Sequence, residues 1–273
     1  MCLILFALDV SPAFPLVLAA NRDEFYNRLS RPMNQWDQAP GIIAGKDVSG
    51  GGTWMGVHPH GRFAALTNFR APALQKNNAP SRGEIILDLL ADPTPIPKQL
   101  KTLEKRSARY NGFNLLSGNI QNKAVALHWY SNQGPGPTSV PPGLHGLSNA
   151  LLDTPWPKVN RGKRLLENQL QICRGHDDAA LLSILTDTLK PDDGDLPDTG
   201  VGLEWERILS PLFIQSPSYG TRCSTLMKVD TQGNITLIER SYHKENRKQF
   251  TDRKFTIPGP DSPMFTTDRN KEK

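Results

Sequence analysis

The chain has 273 residues, 37% of them hydrophobic and 22% charged, which is enough apolar material for a full-sized core and excludes a peptide or a fibrous protein. Its formal charge is +5, from 32 basic and 27 acidic residues. Residues 240–273 hold nine Lys or Arg against five Asp or Glu, and a nucleic-acid reader needs its basic stripe on a folded surface rather than in one tail, so no nucleic-acid partner is expected.

In chain order, residues 2–8 and 16–20 are short apolar runs separated by a Pro-bearing turn and closed by Asn21-Arg22-Asp23, the pattern of two buried strands. Residues 41–45, 51–58 and 62–68 read as further strands, the last two joined at Pro59-His60-Gly61. Ser81 and Glu84 have capping-box spacing ahead of Ile85, Ile86, Leu87, Leu89 and Leu90, which predicts a helix ending near Asp92-Pro93. A second helix is expected over 97–109. Residues 113–116 and 123–130 return to strand character, followed by a Pro/Gly loop over 131–143.

Thr154, Pro155 and Pro157 supply first-turn chemistry for a helix to about Cys173, and Asp177-Asp178 opens another through Leu189. After a loop over 190–203, residues 225–229 and 235–238 flank Thr231-Gln232-Gly233-Asn234 as a closing hairpin. This order of strands, helices, strands, helices and strands suits an α+β layered sandwich. Residues 1–240 are expected to form one domain, with 241–273 a basic C-terminal extension ordered in part at most. No GxGxxG or GxxxxGK[ST] element is present, and Gly50-Gly51-Gly52 precedes a strand, so it lacks the helix that a phosphate loop needs.

The three cysteines, Cys2, Cys173 and Cys223, lack CxxC spacing and suggest neither a disulfide framework nor a zinc knuckle. With an apolar start too short to span a bilayer, the reading is a cytoplasmic protein with no membrane span. Cys2 is the most informative residue. Removal of the initiator Met would put a thiol nucleophile and an α-amine base on one residue. The competing reading is a buried thiol that starts a core strand. Asn21-Arg22-Asp23-Glu24 ends the neighbouring strand. There Asn21 and Asp23 share one face and Arg22 and Glu24 the other, so only one of Arg22 and Asp23 can approach Cys2.

NRDE at 21–24, GGTWMG at 51–56, TNFR at 67–70, SRGE at 81–84, FNLL at 113–116, GLSNALLDTPWPKV at 146–159 and YGTRCST at 219–225 stand in order along the chain. Together they resemble the NRDE family, the group of the transport and Golgi organisation protein 2 homologues, over roughly 1–240. The resemblance implies an N-terminal-nucleophile hydrolase-like fold, a four-layer αββα sandwich. It is similar to the choloylglycine hydrolase and penicillin V acylase group in motif order, which by resemblance assigns Cys2, Arg22, Asp23, Asn68, Asn149 and Arg222 to a catalytic set. Those hydrolases separate Arg from Asp by two residues, whereas Arg22 and Asp23 are adjacent.

The family is linked to haem trafficking, lipid handling and Golgi organisation rather than to a settled hydrolytic reaction. The resemblance therefore implies first a protein that binds and moves a hydrophobic anionic ligand, haem foremost, with Asn21, Arg22, Trp54, Asn68, Arg70 and Arg222 as the ligand-binding set. Proteins that donate or accept haem would be its partners. The alternatives are a cysteine amidohydrolase acting on linear non-peptide C–N bonds, which needs no cofactor, and a non-catalytic partner-binding module. For haem iron, His58 and His60 are the leading ligand candidates, with Met55, Cys2 and Tyr219 behind them.

Overall fold

The computed structural model describes residues 2–259 apart from 38, 40 and 245, and the backbone alone of Cys2. Period-two burial organises it. In β1 (Cys2–Leu8), Ile4, Phe6 and Leu8 pack into one apolar cluster while Leu3, Leu5 and Ala7 pack into another, so both faces of this strand are covered. β1 pairs antiparallel with β2 (Leu16–Phe25). Sheet B follows with β3 (Ser30–Gln35), β4 (Ile43–Asp47), β5 (Met55–His58) and β6 (Arg62–Asn68).

Two helices, α1 (Gly83–Ala91) and α2 (Ile96–Arg106), lead into β7 (Phe113–Gln121), β8 (Ala124–Ser131) and β9 (Thr138–Ser139). The chain then returns to sheet A as β10 (Gly143–Leu147). It continues through α3 (Pro157–Cys173), α4 (Asp178–Ile184) and α5 (Leu203–Leu209), and closes with β11 (Tyr219–Val229), β12 (Ile235–Tyr242) and β13 (Phe250–Ile257).

Sheet A has the order β10-β1-β2-β11-β12-β13, and sheet B runs β3 to β9 in sequence order. Their inner faces share the cluster that contains Phe6, Phe63, Leu116, Met227 and Leu237. The outer face of sheet A packs on α3 and α4 through Leu5, Val159, Leu166 and Leu181, and that of sheet B on α1 and α2 through Leu66, Ile86 and Leu100. The result is the expected four-layer αββα sandwich. Glu239 on β12 ties the sheets together, accepting a 2.7 Å hydrogen bond from the Met33 N–H of β3. No helix among the described residues is long and apolar enough to cross a membrane.

Several local expectations change. β3 has a polar sequence interrupted by Pro32 and buries only Met33, so it offers no alternation to read. β10 is Gly-rich, and β13 is mostly exposed; both lie at sheet edges. The boundary expected at 240 falls inside β12, and β13 pairs with β12 beyond it, from Ile235 opposite Ile257 to Tyr242 opposite Phe250. The capping box at Ser81 does not form: Arg82 is the N-cap of α1, and the Ser81 hydroxyl accepts only from the Gly83 N–H at 3.3 Å. α3 starts from Trp156, with Pro157 in its first turn. α4 stops at Ile184, and α5, expected as loop or unassigned, is a short helix.

Phe6 is fully buried between the sheets and stacks on His145 with ring centroids 5.1 Å apart. Phe6→Ala is expected to cost about 3–5 kcal/mol, read as a lowered urea midpoint with an unchanged m-value.

Candidate functional site

The site grows from the end of β2. Backbone register sets Cys2 opposite Arg22, and Arg22 in turn opposite Cys223 of β11. Directly paired residues of an antiparallel ladder occupy one face, and for Arg22 and Cys223 it is the face towards sheet B, because Leu16, Leu18 and Ala20, of the same parity as Arg22, lie in the inter-sheet cluster. Arg22 is 5% exposed, and its guanidinium stacks on Trp54, 4.2 Å from the ring centroid. Asp47 faces it at 3.7 Å, too long for a hydrogen bond, because the nearer partner of that carboxylate is Arg28 at 2.8 Å. Arg22 Nη1 is buried with no hydrogen-bond partner among the described residues.

Trp54 lies flat because β4 carries Gly45 beneath it; a Cβ at that position would overlap the indole. A second close approach shapes the floor: any side chain on Gly52 would enter the Gly83 backbone at the start of α1. This contact gives Gly52 of GGTWMG and Gly83 of SRGE their physical reason.

Between these walls opens a cavity of about 340 Å³. Arg22, Trp54 and Asn68 line it, with Ser81, Arg82 and Gly83 at the N-terminus of α1. Three guanidinium groups (Arg22, Arg28, Arg82) and two carboxylates (Glu24, Asp47) line it, and the helix dipole adds to the positive side. The lining therefore suits an anion. None of the described lining residues is His, Met or Tyr.

The remaining expected residues lie elsewhere. Asp23 and Asn21 share the opposite face of β2. Asp23 is 1% exposed and accepts a 2.6 Å bond from Thr221 Oγ1; burial raises its carboxyl above the ordinary value, against Lys158 and that hydroxyl. Asn21 donates to the carbonyls of Leu185 and Leu212, both at 2.8 Å, and so fastens the α4 region to the sheet.

Asn149 is 1% exposed and donates to the Asn68 carbonyl at 2.9 Å while accepting from Arg70 at 3.3 Å. It thus holds the Asn68 backbone at the cavity wall. Arg70 is bound to Glu206 at 2.6 Å and stacked 4.8 Å over Trp156, and it does not line the cavity. Arg222 donates to the carbonyls of Phe25 and Arg28 at 3.0 Å each and clamps the turn after NRDE. His58 and His60 stand at the β5–β6 turn with ring centroids 4.6 Å apart. His58 Nδ1 is taken by the His60 N–H, and neither ring lines the cavity. Among the described residues no group of three or more His, Cys, Asp or Glu could hold a metal.

The loop that presents Asn149 is latched from behind. His145 Nδ1 lies 2.7 Å from Asp153 Oδ2 and its Nε2 3.0 Å from the Pro141 carbonyl. Both partners are acceptors, so the doubly protonated imidazolium satisfies the pair best. The Asp153 bond, aided by the Pro141 carbonyl and opposed by burial, raises the His145 pKa. Burial works to raise Asp153, yet bonds from His145, Lys163 and the Gly146 N–H outweigh it and bring that carboxyl to about 2.

Comparison with known proteins decides the family. The family model described as Transport and Golgi organisation 2 matches residues 1–244. The cattle transport and Golgi organization protein 2 homolog is 37% identical over 257 residues, covering 88% of this chain and 93% of its own length. The human homolog is 36% identical with the same coverage. The Drosophila melanogaster transport and Golgi organization protein 2 is 28% identical over 268 residues, covering 88% and 92%. The chain belongs to the Transport and Golgi organisation 2 family.

Among solved structures, the Caenorhabditis elegans ortholog of N-acylethanolamine-hydrolyzing acid amidase has a TM-score of 0.45 at 10% identity, covering 83% of this chain and 92% of that one. A mutant conjugated bile acid hydrolase from Clostridium perfringens has a TM-score of 0.49 at 10% identity, covering 93% and 96%.

Residues that the family motifs do not flag complete the site: Gly45 under Trp54, Asp47 between two arginines, and His145, which latches onto the motif residue Asp153. Gly45 stands in a run read as a strand, and its one signal is a glycine inside that run. Because the folded-state pKa of His145 is raised, its stabilisation is complete below about pH 6.5 and is lost as pH rises through the higher folded value. Melting curves from about pH 6 to about pH 9 should show a fall in stability that His145→Gln removes.

Proposed function

We propose that this family member binds an amphipathic anion, with its charged end against Arg22 and its apolar body leaving over the lip of the cavity. The observation that carries this reading is the buried Arg22 Nη1, which finds no acceptor among the described residues although it sits in the wall of a cavity. A buried charged donor without a partner costs free energy that an incoming carboxylate or phosphate oxygen recovers. The planar guanidinium, held by Trp54, presents its nitrogens in a fixed fork.

The lip supplies the apolar half. Leu29 and Val48 directly follow Arg28 and Asp47 of the lining, are joined by a 3.0 Å backbone bond, and are 65% and 42% exposed. Leu66, Ala79 and Pro80 add carbon surface to the wall. An acyl-bearing anion meets both surfaces without further requirement. Haem fits less well: its carboxylates suit Arg22 and Arg82, but its iron finds no His, Met or Tyr among the described lining residues. Transport of such a ligand through the cytoplasm, handed between donor and acceptor proteins, is the process this binding would serve.

Loss of one charge-assisted contact is worth about 1.5–3 kcal/mol, so Arg22→Gln should weaken binding of palmitate about 10- to 150-fold in a calorimetric titration. A variant that binds palmitate as the wild type does would remove Arg22 from the site. In a parallel haem titration no change in Soret position is expected; a shift lost in Cys2→Ala would assign sulfur to iron and replace the acyl reading.

A second reading is favoured by one observation, the pairing of Cys2 with Arg22 beside a cavity that Asn68 also lines. With Met1 removed, the α-amine would take the thiol proton and the sulfur would add to an amide carbonyl. The departing amine would regain that proton, and water would cleave the thioester to the acid. The Asn68 amide would donate to the oxyanion. Intact mass of the purified, untagged chain tests the premise. Loss of Met1 together with acyl-amide turnover abolished in Cys2→Ala would establish the hydrolase, whereas retention of Met1 removes the base and leaves binding alone.

A further inference from the structure

A second crevice, of about 100 Å³, lies on the other side of Trp54, lined by Cys223, Glu239, Arg31, Arg222 and Tyr242. Cys223 is 5% exposed, forms no disulfide among the described residues, and stands in the same cross-strand row as Arg22 on one side and Ser241 on the other. Glu239 is 1% exposed. Its Oε1 accepts from the Met33 N–H, and its Oε2 is buried with no hydrogen-bond partner among the described residues. Cys223 pairs with Ser241 and Thr225 with Glu239, so the thiol and this carboxyl are diagonal neighbours on one face of the β11–β12 ladder and share the crevice wall; burial raises the Glu239 carboxyl above its ordinary value, against the Met33 bond, Cys223, Ser241 and the Arg22 charge.

A buried carboxyl beside a thiol, at the wall of an opening the size of a small molecule, is a base positioned at a nucleophile. We infer that Cys223 is a modification site at which a small peroxide oxidises the thiol to a sulfenic acid, with Glu239 carrying the proton. Glu239 takes the S–H proton as sulfur attacks one peroxide oxygen. The S–O bond forms, the O–O bond breaks, and the departing hydroxide takes the proton from Glu239 and leaves as water. Sulfur is oxidised and the peroxide reduced, and no other reactant is needed. Arg22 and Arg222 flank the product, where a sulfenate oxygen carries negative charge.

The contrast with Cys173 makes the inference sharp. Cys173 is the more exposed thiol, half-buried at the end of α3 with its S–H donated to the Gln169 carbonyl. On access alone it should react first. The test is one equivalent of hydrogen peroxide with dimedone trapping and peptide mass mapping, on the full chain in a Cys2→Ser background. Cys223 is expected to gain the adduct at least about tenfold faster than Cys173, and Glu239→Gln, which keeps an acceptor for Met33, should slow Cys223 at least about tenfold without changing Cys173. A matched melting temperature would confirm that this variant is folded. Labelling of Cys173 first, or an unchanged Cys223 rate in Glu239→Gln, would overturn the proposal.

Discussion

A guanidinium buried between two sheets is the constraint around which the rest of the site is arranged. Arg22 extends from sheet A towards sheet B, and the desolvation of its charge is offset by the Trp54 face at 4.2 Å and by Asp47 at 3.7 Å, both from the sheet-B side. Neither contact is a hydrogen bond, so the charge is accommodated without being saturated. That balance requires Gly45 under the indole, the Gly52 backbone against Gly83, and Arg28 to share the Asp47 carboxylate. Arg22 consequently keeps a buried donor, Nη1, with no partner among the described residues.

The other motif residues support this arrangement from the two sides. Thr221 and Ser224 of YGTRCST bind Asp23 and Asn21 at 2.6 and 2.5 Å, which fixes the helix-facing half of NRDE and with it the parity that turns Arg22 inward. Thr67 of TNFR donates to the Ser148 carbonyl at 2.6 Å, and Asn114 of FNLL donates to the Ala150 carbonyl at 2.9 Å. The loop with Asn149 is thereby tied to sheet B and the latch at Asp153 to sheet A.

Much of the layered core was legible in the chain. β1 and β6 fall where an apolar run and a strand-like stretch placed them, because both are buried strands of ordinary composition. β3, β10, α5 and β13 were not legible, because each is held by tertiary pairing that local propensity does not encode: Met33 by Glu239, His145 by Asp153, Glu206 by Arg70. In the site, motif order pointed to Arg22, Trp54 and Asn68, which do line the cavity. It also pointed to Arg70 and Arg222, which the fold spends on an ion pair and on backbone carbonyls; a sequence records that an arginine is present but not which acceptor it meets. Gly45, Asp47 and Glu239 were silent because their importance arises from the strand that passes opposite.

β13 carries one more consequence. The family match ends at residue 244, yet the last strand of sheet A, 250–257, lies beyond it and occupies the hydrogen-bonding edge of β12 along its full length. Its middle residues are Asp252, Arg253 and Lys254, all exposed. Charged residues on a terminal strand discourage intermolecular pairing. A chain cut at the family boundary would keep the residues that line the Arg22 cavity and expose an uncapped ladder of β12, so the cavity and the cover of this sheet edge are encoded by different stretches of the sequence.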